Sequence, residues 1–219
     1  MICICIGNTG YQAVLEKAKS EELIELRLDQ LKITDEEIET ICSQLSRTII
    51  SYHPGKTGDS ERMNKLKTAI LAGAEFVDIE WDADEEFIDE IVPFARGNDC
   101  RVIISFYDTE KTPVKRELEH IVRECSMQGA DIIKIVCRVN SIEDNARLLS
   151  LYSLGKNIIS LGLGRLGSIT RIVAPLAGAE FTYAYLGKDI DVDGGQMKKA
   201  EIEHINKLLK LPQNNPSGL

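Results

Sequence analysis

Two rhythms of apolar and polar positions alternate along the chain. Short runs rich in β-branched and aromatic residues span 1–6, 23–28, 48–52, 76–81, 101–106, 131–137, 157–161 and 181–186. Each has the length and composition of a strand. Helical patterns follow them over 10–20, 34–46, 60–74, 83–97, 113–128, 141–154, 166–178 and 197–210. Thr34-Asp35-Glu36-Glu37 reads as a capping box. Thr112 before Pro113 sets a capping oxygen ahead of a proline at the first helical position. Ser141 with Asp144 is a weaker copy of the first pattern.

Eight β–α units in succession mean a parallel sheet, either open or closed. The charged residues inside the strands decide between the two. Glu25, Arg27 and Asp29 share one face of the second strand, as do Asp78 and Glu80 on the fourth, because a strand repeats every two residues. An open parallel sheet buries both faces under helices and gives such stripes few partners. A barrel points them into a lumen, where they can pair and meet a ligand. The expected fold is therefore α/β, a single-domain (β/α)8 TIM barrel over 1–211. The polar, proline-containing residues 212–219 read as a flexible tail or linker remnant.

Composition narrows the function. Hydrophobic residues make up 43% of the chain, enough for a large core, and the net charge is −9. That charge argues against a nucleic-acid binder, which needs a basic face to release counterions. No apolar run reaches the roughly 20 residues of a membrane span. The start of the chain lacks the basic segment and cleavage site of a signal peptide. Cysteines stand at 3, 5, 42, 100, 125 and 137 without a CxxC pair. They read as reduced, mostly buried thiols rather than metal ligands or disulfides, which points to the cytoplasm.

Lys134 is the most unusual position. It lies between Ile133 and Ile135 in a strand where desolvation disfavours an ammonium. One reading is a lysine held in an ion pair with Glu25, Asp78 or Glu80. The other is an amine of lowered pKa that condenses with a ketone to form a Schiff base. On the second reading, removing the amine abolishes adduct formation and leaves thermal melting unchanged. Glu25 and Arg27 face the same lumen and suit either an ion-pair network or the recognition of hydroxyls. Gly162, Gly164 and Gly167 match GxGxxG after the seventh strand. The dinucleotide form of that motif belongs to the first βαβ unit of its domain, so a rim loop of the kind that binds anions is the better reading. Arg171 beyond it can grip a carboxylate with two donors. Asp193-Gly194-Gly195-Gln196 is either a plain turn or a rim loop whose Gln196 offers an amide to substrate.

Taken together, ELRLD, ISFYDTEKTP, DIIKIVC, LGLGRLGSITR and the GGQ before the last helix resemble, in order and spacing, the type I 3-dehydroquinate dehydratases. The resemblance covers nearly the whole chain. It implies a homodimeric barrel with no metal and no cofactor, which takes the small molecule 3-dehydroquinate in the shikimate pathway. It implies that Lys134 forms an iminium with the substrate ketone. It also implies that Glu25 and Arg27 hold hydroxyls, Arg171 the carboxylate, and Gln196 a place in a closing loop.

The chain departs from that pattern at four positions. Tyr107 stands where the family has its acid–base histidine, and His53 where it has an arginine. Thr57 replaces a glutamate, and Val192 a serine. A phenol titrates near 10 and an imidazole near 6.5, so ionising Tyr107 at pH 7 takes about 4 kcal/mol. Losing a general base slows a reaction roughly 10²–10⁴-fold, so a slow enzyme is expected, with Tyr107 or His53 carrying the proton. The alternatives are another Schiff-base lyase or aldolase acting on a keto acid, and a catalytically impaired barrel cut from a fusion with shikimate dehydrogenase.

Overall fold

The computed structural model describes residues 1–45, 47–54, 58–155, 157–186 and 196–209. Nine strands are found in it. They are β1 (Ile2–Ile6), β2 (Leu23–Arg27), β3 (Thr48–Ser51), β4 (Phe76–Glu80), β5 (Arg101–Asp108), β6 (Ile132–Arg138), β7 (Ile158–Leu163), β8 (Thr182–Tyr185) and β9 (Met197–Lys198). The helices are α1 (Tyr11–Ala18), α2 (Asp35–Gln44), α3 (Asp59–Leu71), α4 (Glu85–Gly97), α5 (Lys115–Met127), α6 (Ile142–Ser150), α7 (Ile169–Ala177) and α8 (Lys199–Leu208). Among the described residues, no helix is long and apolar enough to cross a membrane.

All strand pairings are parallel, in the order β7-β6-β5-β4-β3-β2-β1-β8-β9. The sheet curls as a (β/α)8 TIM-like fold. Among the described residues no backbone ladder joins β7 to β8, and the seam is filled by side chains. Leu161 of β7 shares an apolar cluster with Phe181 and Tyr183.

The period of two sorts every strand into two layers. Ile4, Ile24, Leu26, Ile50, Val77, Ile79, Ile104, Ile133 and Ile135 point outward and pack under the helices. Cys3, Leu23, Ile49, Phe76, Ile103, Ile132 and Ile159 point inward and floor the lumen. Two residues further along β2, β4, β5 and β6 stand Glu25, Asp78, Ser105 and Lys134, all buried. A further two along come Arg27, Glu80, Tyr107 and Val136 at the mouth. A polar layer thus rests on an apolar floor at the C-terminal ends of the strands, where barrels of this type carry their chemistry.

Local signals account for several elements and fail at one. Thr34 and Glu37 form the expected capping box, with Glu37 N donating to Thr34 Oγ1 at 3.3 Å and Thr34 N to Glu37 Oε2 at 2.9 Å. Asp144 accepts from Ser141 N at 2.9 Å, so that cap also forms. The Thr112–Pro113 start does not. Helix α5 begins at Lys115 behind Val114, and the Thr112 hydroxyl instead donates to Arg138 O at 2.7 Å. That bond ties the β5–α5 loop to the end of β6, a long-range use that local spacing does not reveal. Helix α6 ends at Ser150 and passes into a 3₁₀ turn over Leu151–Leu154. β9 had no counterpart in the sequence pattern. It pairs beside β8, Ala184 against Met197, and brings Gln196 to the rim.

Candidate active site

Lys134 sits at the centre of the polar layer and is 2% exposed. Its ammonium donates to Asp78 Oδ2 at 2.5 Å and, more weakly, to the Tyr183 hydroxyl at 3.4 Å. Glu25 Oε1 lies 3.7 Å away. The nitrogen also stands 4.6 Å from the centre of the Tyr183 ring and 5.4 Å from that of Tyr107. The ion-pair reading of this lysine is therefore the one the structure adopts at rest.

The expectation of a lowered lysine pKa is overturned. Burial does push the amine down, but Asp78 and Glu25, reinforced by the two phenols, reverse the effect and hold it well above its ordinary value. Asp78 moves up as well, because loss of water outweighs the pull of Lys134. Burial alone drives Glu25 up, yet Lys134, Arg27 and His53 together hold it below the ordinary carboxylate range. One proton thus lies on a short bond between an amine and a carboxyl that both bind it tightly, and the two titrate as a pair. Moving that proton to Asp78 frees the amine and neutralises both partners, leaving the net charge of the site unchanged.

The mouth is a second ring of charges. Arg27 donates to both oxygens of Asp29 at 3.4 Å. Glu80 is gripped from two sides, by the guanidinium of buried Arg62 on Oε2 and by His53 Nδ1 on Oε1 at 3.0 Å. Arg62 is itself fixed by donating to Tyr52 O at 2.7 Å. The His53 ring stands edge-on to Tyr107 at 5.6 Å between centres. Burial pushes the Tyr107 phenol up from its ordinary value, and Lys134 offsets this only in part. Neighbouring cations therefore do not ionise Tyr107, and at neutral pH it keeps its proton.

Arg171 is not a surface arginine. It is 2% exposed on the first turn of α7 and lines the cavity beside Lys134. The glycines before it serve packing. A Cβ on Gly162 would come within 2.7 Å of Gly167 Cα, so β7 and the start of α7 approach as only glycines allow. Thr170 Oγ1 locks this corner, accepting from Gly162 N at 2.8 Å and donating to Gly167 O at 2.7 Å.

A small cavity of about 20 Å³ opens above the lysine, lined by Glu25, Arg27, Tyr107, Lys134, Arg171 and Gln196 among others. Of the site residues expected from sequence, these six are brought together and His53 stands beside them at the mouth. Thr57, Val192 and Asp193-Gly194-Gly195 lie outside the described residues. A larger groove, of about 440 Å³, runs between the β2–α2 loop and α3 and shares no lining residue with this one. Two site residues had been passed over. Asp78 was read as lumen-facing but not taken into the site, and Tyr183 was not singled out. Period two along Phe181-Thr182-Tyr183 carries the signal for the second.

Known proteins resemble this arrangement. A 3-dehydroquinate dehydratase of Methanocaldococcus jannaschii is 34% identical over 212 residues, covering 88% of this chain and 94% of that protein. The structure of the 3-dehydroquinate dehydratase of Aquifex aeolicus VF5 is 26% identical, with a TM-score of 0.79 over 98% of this chain and 100% of the other. A type I enzyme of the same name from Clostridium difficile, 22% identical, superposes with a TM-score of 0.83 over 95% and 91% of the two chains and speaks for the fold. The model of type I 3-dehydroquinases matches residues 2–214, which takes in every strand and every residue of the cavity described above. By sequence and by architecture alike, the chain belongs to the type I 3-dehydroquinase family.

Proposed function

We propose that the chain is a hydro-lyase that converts 3-dehydroquinate to 3-dehydroshikimate and water through a Schiff base on Lys134. The observation that carries this reading is the amine itself. Among the described residues it is the one lysine that lines the cavity, and an acceptor for its proton lies 2.5 Å away. Passing that proton to Asp78 leaves a lone pair free to attack the substrate ketone. Loss of water from the adduct then gives an iminium, which acidifies the neighbouring C–H bond. That proton and the β-hydroxyl depart together as water, and hydrolysis releases the lysine.

The remaining groups suit the substrate's polar edge. Arg171 offers a buried guanidinium to the carboxylate. Glu25 and Arg27 suit the ring hydroxyls, and Gln196 offers an amide from the rim. Tyr107, protonated, is a donor and a wall beside the iminium. A homodimer working in the cytoplasm completes the reading, and six cysteines read as reduced thiols fit a reducing compartment. The test is borohydride reduction with 3-dehydroquinate present. A reduced adduct on the Lys134 peptide and the rise of enone absorbance are expected. Absence of both removes the proposal.

A further inference from the structure

Given that reading, one role is left without a holder. The reaction needs a group that accepts a proton from carbon and delivers it to oxygen near neutral pH. Lys134 becomes the iminium, and Tyr107 and Tyr183 are both held protonated by burial. Among the described residues, the other titratable groups lining the cavity are Glu25, Arg27, Arg171 and Cys5. Glu25 is already bound to the lysine's charge, and the arginines do not deprotonate.

His53 has the geometry this role needs. Its Nδ1 faces Glu80 Oε1 at 3.0 Å, and the second oxygen of that carboxylate is pinned by Arg62. A carboxylate there accepts the Nδ1 proton and leaves Nε2 as the basic nitrogen. That Nε2 is buried and has no hydrogen-bond partner among the described residues. A buried imidazole nitrogen left unsatisfied is costly and calls for an explanation. The ring edge abuts Tyr107, which lines the cavity, and its charge is felt at Glu25 inside it.

We propose that His53, oriented by Glu80, is the acid–base residue of this enzyme, with Nε2 meeting the substrate at the mouth of the cavity. The C–H bond next to the iminium breaks, its electron pair passes into the enamine, and Nε2 takes the proton. The imidazolium then returns that proton to the departing hydroxyl oxygen as the C–O bond breaks, giving water. Glu80 is a positioning residue that acts through His53. A histidine just past the third strand thereby takes over the work that the fifth-strand tyrosine is unsuited to do.

The test compares kinetics, pH profile and adduct formation in full-length variants. His53→Gln is expected to lower kcat roughly 100-fold or more with KM changed only a few-fold. Reduction with borohydride still labels Lys134, so this result is separable from failure of the Schiff-base reading. Free imidazole is expected to restore part of the rate. The acid limb of the wild-type kcat/KM profile, set by His53 among Glu80, Glu25, Asp29, Arg27, Arg62 and Tyr107, is expected to vanish in His53→Gln. Glu80→Gln removes a charge that favours the imidazolium, so it is expected to move that limb to lower pH. The proposal is overturned if His53→Gln keeps kcat within about threefold. It is also overturned if imidazole gives no rescue and the limb does not move in Glu80→Gln, or if Tyr107→Phe loses more rate than His53→Gln.

Discussion

Replacing Lys134 by methionine keeps a long unbranched side chain in the lumen and removes its charge. Two buried carboxylates then face each other. In the wild type the ammonium lowers both, and burial alone would raise both. Taking one partner from a buried ion pair costs about 3–5 kcal/mol. For a chain of this size that corresponds to a fall in melting temperature of roughly 6–20 °C. This departs from the expectation, drawn from sequence, that removing the amine leaves melting unchanged.

The loss must depend on pH, and its sign is fixed. Without the ammonium, Asp78 and Glu25 carry folded pKa values above their unfolded values, near 4. Such groups contribute stability in full below pH 4 and lose it as pH rises through the folded values. The gap between Lys134→Met and wild type therefore widens from pH 4 to pH 8, by about 1.4 kcal/mol for each unit of upward shift. Urea unfolding of both proteins at pH 5 and pH 8 measures it. A deficit of the same size at both pH values, or none at pH 8, refutes the ion-pair account of the polar layer.

Three further outcomes follow from the geometry. Arg171→Lys keeps the charge but loses the second donor, and losing a charged hydrogen bond of about 1.5–3 kcal/mol predicts a KM rise of roughly 10–100-fold with adduct formation intact. Steady-state kinetics checks it, and an unchanged KM removes Arg171 from carboxylate binding. Gly162→Ala places a Cβ 2.6 Å from Val139 Cγ2 and 2.7 Å from Gly167 Cα, so a loss of about 1–3 kcal/mol is expected in thermal melting. Thr34→Ala deletes the acceptor for Glu37 N and should cost about 1 kcal/mol by urea titration.

Much of the architecture was legible because periodicity is local. Glu25 and Arg27, or Asp78 and Glu80, fall on one face whatever the rest of the chain does, and only a lumen gives them partners. Six of the residues that line the cavity were found by that rule, by the motifs on the rim and by the family resemblance. Thr112 shows where it stops. Its spacing from Pro113 is a good cap, but a carbonyl 26 residues away claims the hydroxyl. The short β9 and the unladdered seam between β7 and β8 likewise depend on how the curled sheet meets itself.

Signs of electrostatic shifts are less legible than positions, because they come from opposing effects of similar size. An isolated lysine among isoleucines is pushed toward neutrality, and Ile133 and Ile135 flank Lys134 in the sequence. The reversal comes from Asp78, 56 residues away and 2.5 Å from the nitrogen. Yet the pairings that decide the chemistry have a readable basis in register. Ser51 stands opposite Asp78 in the parallel ladder of β3 and β4. Two residues on, just past the end of β3, His53 Nδ1 meets Glu80 Oε1 at 3.0 Å. Strand register therefore carries more of this site than any single motif does. It predicts that a histidine at position 53 and a carboxylate at position 80 depend on one another. In the double variant His53→Gln/Glu80→Gln, the loss in kcat should be close to that of His53→Gln alone. Losses that multiply would mean that the two act independently and that the contact between them carries no catalytic role.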